Sequence, residues 1–260
     1  MNDEQAASHN PVVTGRRAGV DGRGGGNVVA PEAPRGVVHH VDLIQGGDEW
    51  LQARCGMLTA SEMKLILTPT LKEAGNDKAR AHVWEMASQR ISNFVEVRYI
   101  GDDMLRGWGD EASAKALYTE RYAPVEDMGF ITNDRWGFPI GFSPDGLVGG
   151  DGFIECKSRR QRFQVETIVG NVCPFEHRLQ IQTGYLVSGR KWCDYVSYSA
   201  GLPMAVIAVP PDHEMQEAIV EAATKFERQV AGRVEQYRER LRSDMRLVPT
   251  ERTIEKEMFV

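Results

Sequence analysis

Between Ser143 and Arg160 the chain reads SPDGLVGGDGFIECKSRR, and few other stretches leave so little conformational choice. The run Gly149-Gly150-Asp151-Gly152 turns the chain tightly, so the apolar segments on either side fold back on each other as a hairpin. Side chains alternate along a strand, which puts Glu155 and Lys157 on one face and Cys156 on the other. The same turn brings Asp145 within about a residue of Glu155 across the hairpin. The flanking sequences PIGFS and GFIEC are apolar, so the strand pair is expected inside a sheet.

Two readings of the charges stay open at this point. Opposite charges paired across a hairpin are commonplace and contribute little when solvated. Two adjacent carboxylates, however, repel each other unless one is protonated or a cation lies between them, and burial makes an unneutralised charge expensive. Carboxylate oxygens suit Mg²⁺ or Mn²⁺, ions that keep several waters and bind phosphate oxygens. On that reading Asp145 and Glu155 hold the metal, the backbone carbonyl of Cys156 is a further ligand, and Lys157 orients a water or steadies charge on a phosphoryl group.

The rest of the chain limits the setting. Its 260 residues, 42% hydrophobic, can fill one core of ordinary size, and one folded domain over 39–260 is expected. Residues 1–38 are rich in Gly and carry no hydrophobic period, so a flexible tail is expected there. His39 and His40 at its end are read as incidental. Neither a secretion signal nor a run of eighteen apolar residues is present, which leads to the expectation of a soluble, cytoplasmic protein that does not contact membranes. Cys55, Cys156, Cys173 and Cys193 form no C-x-x-C pair, which argues against a zinc ribbon or a disulfide framework. The formal charge of −6 disfavours indiscriminate coating of nucleic acid but allows a local basic cluster.

Periodicity gives the remaining elements. VDLI reads as a short strand, Glu49 to Arg54 as a helix, and the next helix has Thr59 or Ser61 as its cap. Val83, Met86, Ile91 and Phe94 recur at helical spacing, and RGWGDEASAKALYTERY is another helix. Short apolar segments from VEDMGFITN to GFIECKS are strands, followed by a helix at FEHRLQIQTGYLVSG and strands at WCDYVSYS and MAVIAVP. A long amphipathic helix over about 212–243 turns Met215, Ile219, Ala222, Phe226, Val230, Val234, Tyr237 and Leu241 to one side. Helices flanking a central mixed sheet, an α/β (α+β) arrangement, fit this order. Glu111 lies early in its helix among small residues, where it either complements the helix dipole or supplies a further acid.

Four segments, DEWLQARCGMLTASE, RGWGDEASAKALY, SPDGL with IECK, and LQIQTGYLVSGRKWCDYVSY, resemble those of the PD-(D/E)xK nucleases, and within them the phage lambda exonuclease or YqaJ-like viral recombinase family. They keep the family's order over roughly Asp48 to Tyr198. The resemblance implies a restriction-endonuclease-like core, with Asp145 and Glu155 on two Mg²⁺ ions, Glu111 as an added ligand, Lys157 assisting the attacking water, and Gln180 aligning the site. It implies that Arg54 and Ser61 hold a terminal 5′-phosphate, a role suited to a guanidinium and a hydroxyl near a helix start. It further implies a 5′-to-3′ exonuclease acting on double-stranded DNA ends as a ring-shaped homotrimer, leaving 3′ single strands for an annealing protein in a phage- or prophage-bearing bacterial cell. Arg159, Arg160 and Arg162 follow the hairpin and are placed for the DNA backbone, or are a solvated charge run. An endonuclease on the same fold and a non-catalytic DNA-end binder are the rival readings.

Overall fold

The computed structural model describes residues 36–96 and 101–252. The tail expected over residues 1–38 lies outside the described residues up to residue 35. In chain order the elements begin with β1 (Val37–His40), α1 (Asp48–Ala53), β2 (Leu58–Thr59), α2 (Met63–Ile66), α3 (Asp77–Ser92) and α4 (Asp102–Arg121). Then come β3 (Phe130–Asn133), β4 (Ile140–Phe142), β5 (Gly146–Val148), β6 (Gly152–Ser158), α5 (Gln161–Gly170), α6 (Phe175–Ser188), β7 (Trp192–Tyr198), β8 (Ala205–Ala208) and α7 (His213–Leu241).

The strands form two mixed four-stranded sheets, ordered β1-β3-β4-β2 and β5-β6-β7-β8. In the second, β6 pairs antiparallel with β5 and parallel with β7, so the hairpin strand is central. A parallel neighbour demands a covered sheet, and both faces are covered. On one face Ile154, Cys156 and Val196 pack with Ala114 and Tyr118 of α4. On the other, Phe153 meets Phe142 and Tyr185 edge-on, each at 5.2 Å between ring centroids. Alternation along β6 thus sends its odd residues toward α6 and its even residues toward α4.

Close approach of α6 depends on Gly184, where an added Cβ would lie 2.8 Å from Phe142 Cζ. Asn133 caps the end of the same helix, donating to the carbonyls of Leu186 and Val187. Helix α7 starts at Asp212, whose carboxylate accepts from the Met215 N–H, and buries Met215, Ile219, Ala222, Phe226, Val230 and Val234. Arg90 of α3 reaches α7 through a 2.8 Å ion pair with Glu227, and its Nε donates to the Gly56 carbonyl.

Several local expectations change. The first strand is Val37–His40, upstream of VDLI and overlapping the last two residues assigned to the tail, because it is held by pairing with distant β3 although largely exposed. Helix α5 was not expected. Tyr237 and Leu241 continue the apolar period of α7 but are exposed, because the helix outruns the core. The four cysteines are free and three of them buried. Among the described residues no helix is long and apolar enough to cross a membrane.

Candidate active site

The β5–β6 hairpin has Gly146 opposite Ile154 and Val148 opposite Gly152, so Asp145 enters the strand beside Glu155. Its Oδ2 accepts the Cys156 backbone N–H at 2.6 Å. Arg190 holds the turn from outside, donating to the carbonyls of Gly149 (3.0 Å) and Gly152 (2.6 Å). Glu155 has no solvent exposure. Lys157 forms an ion pair with Glu155 Oε1 and lies 4.0 Å from Asp145 Oδ2. Neither Glu155 oxygen has a hydrogen-bond partner of good geometry, so the ammonium contact is all that offsets its burial.

The electrostatics follow from this packing. Burial, reinforced by Asp145 and Glu111 and opposed by Lys157, pushes the Glu155 carboxyl up to about 8. Burial also raises Asp145, against Lys157 and the Cys156 N–H. Burial alone would lower Lys157, but the carboxylates of Glu155 and Asp145 outweigh it and raise the ammonium above its ordinary range. Lys157 is therefore a fixed cation.

Glu111, on α4, is partly buried and 3.6 Å from Lys115, which also binds Asp127 at 3.0 Å. Burial first, then Asp145, raises it to about 7, with Lys115 and Lys157 opposing. It therefore shares one electrostatic site with the hairpin acids. The anchor is next to it in sequence: Asp110 Oδ2 accepts from Ser158 Oγ at 2.5 Å, tying α4 to the end of β6. Tyr118, two turns further on, donates to Asp194 Oδ2 of β7 at 2.6 Å.

The donor set fits a hard divalent cation: three carboxylates of raised pKa, one with orphaned buried oxygens, beside the Cys156 carbonyl. As the side chains stand, among the described residues no three Asp, Glu, His or Cys groups converge closely enough to enclose an ion. Lys157 supplies the positive charge instead.

Arg54 lines a cavity of about 770 Å³ together with Trp50, Thr59, Trp108, Glu111 and Asp145, while Ser61 is not part of its lining. The Arg54 guanidinium stacks over Trp50 at 4.0 Å and donates to Thr59 Oγ1 (3.2 Å) and Ser143 Oγ (3.5 Å). Trp50 Nε1 donates to the same Ser143 hydroxyl at 2.9 Å. Thr59 N–H and Oγ1 donate to Glu62, and Thr59 Oγ1 lies 3.4 Å from Ser61 Oγ. Arg54, Glu111 and Asp145 thus line one cavity. Arg54 and Trp50 are held by Ser143, which sequence reasoning did not single out although it stands two residues before Asp145.

Gln180 is half-buried on α6. Its neighbour Gln182 is the fully buried one, donating to Pro210 O and accepting from Asp212 N–H and Gln216. The arginines separate: Arg159 is partly buried against His177, Arg160 is exposed at the start of α5, and exposed Arg162 stacks over Phe163 at 4.2 Å.

The profile of the YqaJ-like viral recombinase domain matches residues 49–191, which include Arg54, Ser61, Glu111, Asp145, Glu155, Lys157 and Gln180. An alkaline exonuclease, LHK-Exo, from Laribacter hongkongensis is 28% identical, with a TM-score of 0.67 over 75% of this chain and 98% of that one. Its complex with dAMP gives a TM-score of 0.68 over the same shares, again at 28% identity. A phage-related exonuclease from Haemophilus somnus shares the fold at 13% identity, with a TM-score of 0.50 over 70% of this chain and 96% of that one. No curated protein matches the chain.

Proposed function

The chain belongs to the family of the YqaJ-like viral recombinase domain, with a PD-(D/E)xK core, and from that premise we propose that it is a metal-dependent 5′-to-3′ exonuclease of double-stranded DNA ends. It degrades one strand and leaves a 3′ single strand for an annealing protein, in phage-type recombination inside a bacterial host cell. The observation that carries this reading is Glu155: fully buried, beside Asp145, and in contact with a lysine. A stabilising salt bridge would not need such burial, whereas a site that must hold a cation against a phosphodiester does.

Asp145, Glu155, the Cys156 carbonyl and Glu111 would hold Mg²⁺, two ions per site, with Mn²⁺ as a substitute. When bound, the cation polarises the phosphoryl group and lowers the pKa of water. Lys157 remains protonated, so it acts as a hydrogen-bond donor that orients the attacking water and offsets charge on the phosphate, not as a base. Arg54 grips the 5′-phosphate through its forked donors, with Ser61 adding a hydroxyl, and Gln180 helps align the scissile group. The single cavity joining Arg54 to Asp145 supports a strand that starts at one and is cut at the other. A homotrimeric ring would confine positive potential to a channel and reconcile DNA binding with the net charge of −6.

A linear duplex with 5′-phosphates, labelled separately at each strand end, tests this with and without Mg²⁺. The expected result is Mg²⁺-dependent release of the 5′ label with a covalently closed circle left intact. Nicking of the circle would replace the exonuclease reading with an endonuclease; binding of ends without digestion would leave only a DNA-end binder.

A further inference from the structure

On the α6 side of the sheet, next to Lys157, lies a polar cluster that the roles above leave unused. In the parallel register Glu155 pairs with Tyr195 and Lys157 with Ser197, so Tyr195 stands beside Glu155 on the same face. The Tyr195 ring stacks on His177, with centroids 5.5 Å apart and planes at 20°. Arg159 Nη1 donates to His177 Nε2 at 3.2 Å. A guanidinium has no acceptor, so Nε2 is the bare nitrogen and the imidazole proton sits on Nδ1. Burial first, then Lys157, Arg159 and Lys64, depress the His177 imidazole to about 2, which keeps that nitrogen free to accept.

Glu176 Oε1 approaches His177 Nε2 to 3.8 Å from the exposed side, but among the described residues no carboxylate meets Arg159. The Arg159 Nε is buried without a hydrogen-bond partner. The hydroxyl of fully buried Tyr195 is also unpartnered. Three cations, Lys64, Lys157 and Arg159, act on one neutral ring. Arg159 continues the β6 ladder through its N–H bond to Tyr198 O, two residues beyond Lys157, or about 6.6 Å of strand. That displacement is comparable with one step along a nucleic-acid backbone.

We propose that Arg159 binds the DNA phosphate next to the one that is cleaved, and that His177 is the positioning residue that aims it. This rests on the nuclease reading and adds a second phosphate contact that fixes where along the strand the cut falls. It also divides the arginine cluster: Arg159 reads the backbone from inside the site, while Arg160 and Arg162 do not share its support.

Binding of a 5′-phosphorylated duplex with a 3′ overhang, followed by fluorescence anisotropy in EDTA between 50 and 200 mM salt (~), separates the terms. Arg159→Ala is expected to weaken binding roughly 5- to 10-fold and to reduce the salt slope by about one phosphate. His177→Phe keeps the ring on Tyr195 but removes the acceptor, so it should lower the slope by a similar amount although no charge is lost. His177→Gln, which can still accept, should restore most of it, and Arg159→Ala with His177→Phe should be no worse than Arg159→Ala alone. An unchanged slope in Arg159→Ala, a variant that leaves the packed ring pair intact, would overturn the proposal even if His177→Phe fails to fold. A wild-type protein that digests linear duplex while Arg159→Ala keeps its slope rejects this inference alone. A wild type that never digests DNA, yet loses slope in both variants, rejects the nuclease reading and retains the phosphate site.

Discussion

Ser158 Oγ donates to Asp110 Oδ2 at 2.5 Å, and through this bond the strand carrying Glu155 and Lys157 is fixed to the helix carrying Glu111. A hydrogen bond to a charged acceptor contributes about 1.5–3 kcal/mol, enough to hold the middle of α4 in place, where Glu111 lies too far from the helix start to act as a dipole partner. Ser158→Ala is expected to slow digestion several-fold at saturating DNA, to leave KM nearly unchanged, and to raise the Mg²⁺ concentration needed for half-maximal rate. Ser158→Thr, which keeps the hydroxyl, should restore the rate. Equal Mg²⁺ requirements in Ser158→Ala and wild type would show that α4 is held by other contacts.

Asp145→Ala and Lys157→Ala should each reduce digestion by a factor of about 10² or more, in the range for removal of a group that stabilises transition-state charge. DNA-end binding in EDTA should survive in Asp145→Ala. Digestion that persists unchanged in either variant would remove that residue from the catalytic assignment.

Glu155 makes stability depend on pH in a definite direction. Its carboxyl rises from an ordinary value of 4.5 to about 8 in the fold, so between these values the unfolded chain releases the proton and the native chain keeps it. The associated stability is complete below 4.5 and is lost as pH rises through 8. In EDTA, Glu155→Gln should therefore gain on wild type as pH rises, with each 1 kcal/mol read as about 2–4 °C in Tm. Added Mg²⁺ should close the gap by stabilising only the wild type. Parallel Tm curves in EDTA would contradict this account of the buried carboxylate.

Arg54→Ala should reduce the preference for a 5′-phosphate over a 5′-hydroxyl end, since the lost guanidinium contacts only the terminal phosphate in the proposed pose. Rates on the two ends, measured side by side, decide it: equal loss on both counts against that role.

Arg90→Ala should cost about 2–4 kcal/mol in urea unfolding, because it leaves Glu227 nearly buried without its cation and frees the Gly56 carbonyl. Glu227→Gln should cost less, since a neutral amide is cheaper to strand. A larger loss in Glu227→Gln would mean that the pair acts through packing and not charge.

The hairpin was legible because its information is local: a glycine turn sets the register and alternation sets the faces, which together bring Asp145, Glu155 and Lys157 into one place. The helices α3, α4 and α6 were legible from their periods. Helix α5 was not, because it docks through polar residues. Buried Gln164 donates to the carbonyls of Ser197 and Pro203 and accepts from Ser197 Oγ, while Val165, Ile168 and Val169 face outward. An apolar period cannot report that arrangement. The same limit hid Ser143 and Ser158, short hydroxyls whose partners lie 89–93 and 48 positions away. Three consecutive-looking arginines likewise gave no sign that only Arg159 turns inward, since His177 becomes its neighbour only after α6 folds back.

The parallel pairing of β6 with β7 also sets an order in time. Glu155 and Lys157 leave the ribosome with the hairpin, but their covering face needs α6, and their neighbouring strand ends at Tyr198. At a synthesis rate of about 5–20 residues per second, the carboxylates spend seconds in water before their partner strand exists. During that interval they carry ordinary acidities and face no buried lysine contact, so the site cannot assemble on a nascent chain that stops short of β7. A nuclease built this way reaches its cutting geometry only after the strand that closes its sheet has been made.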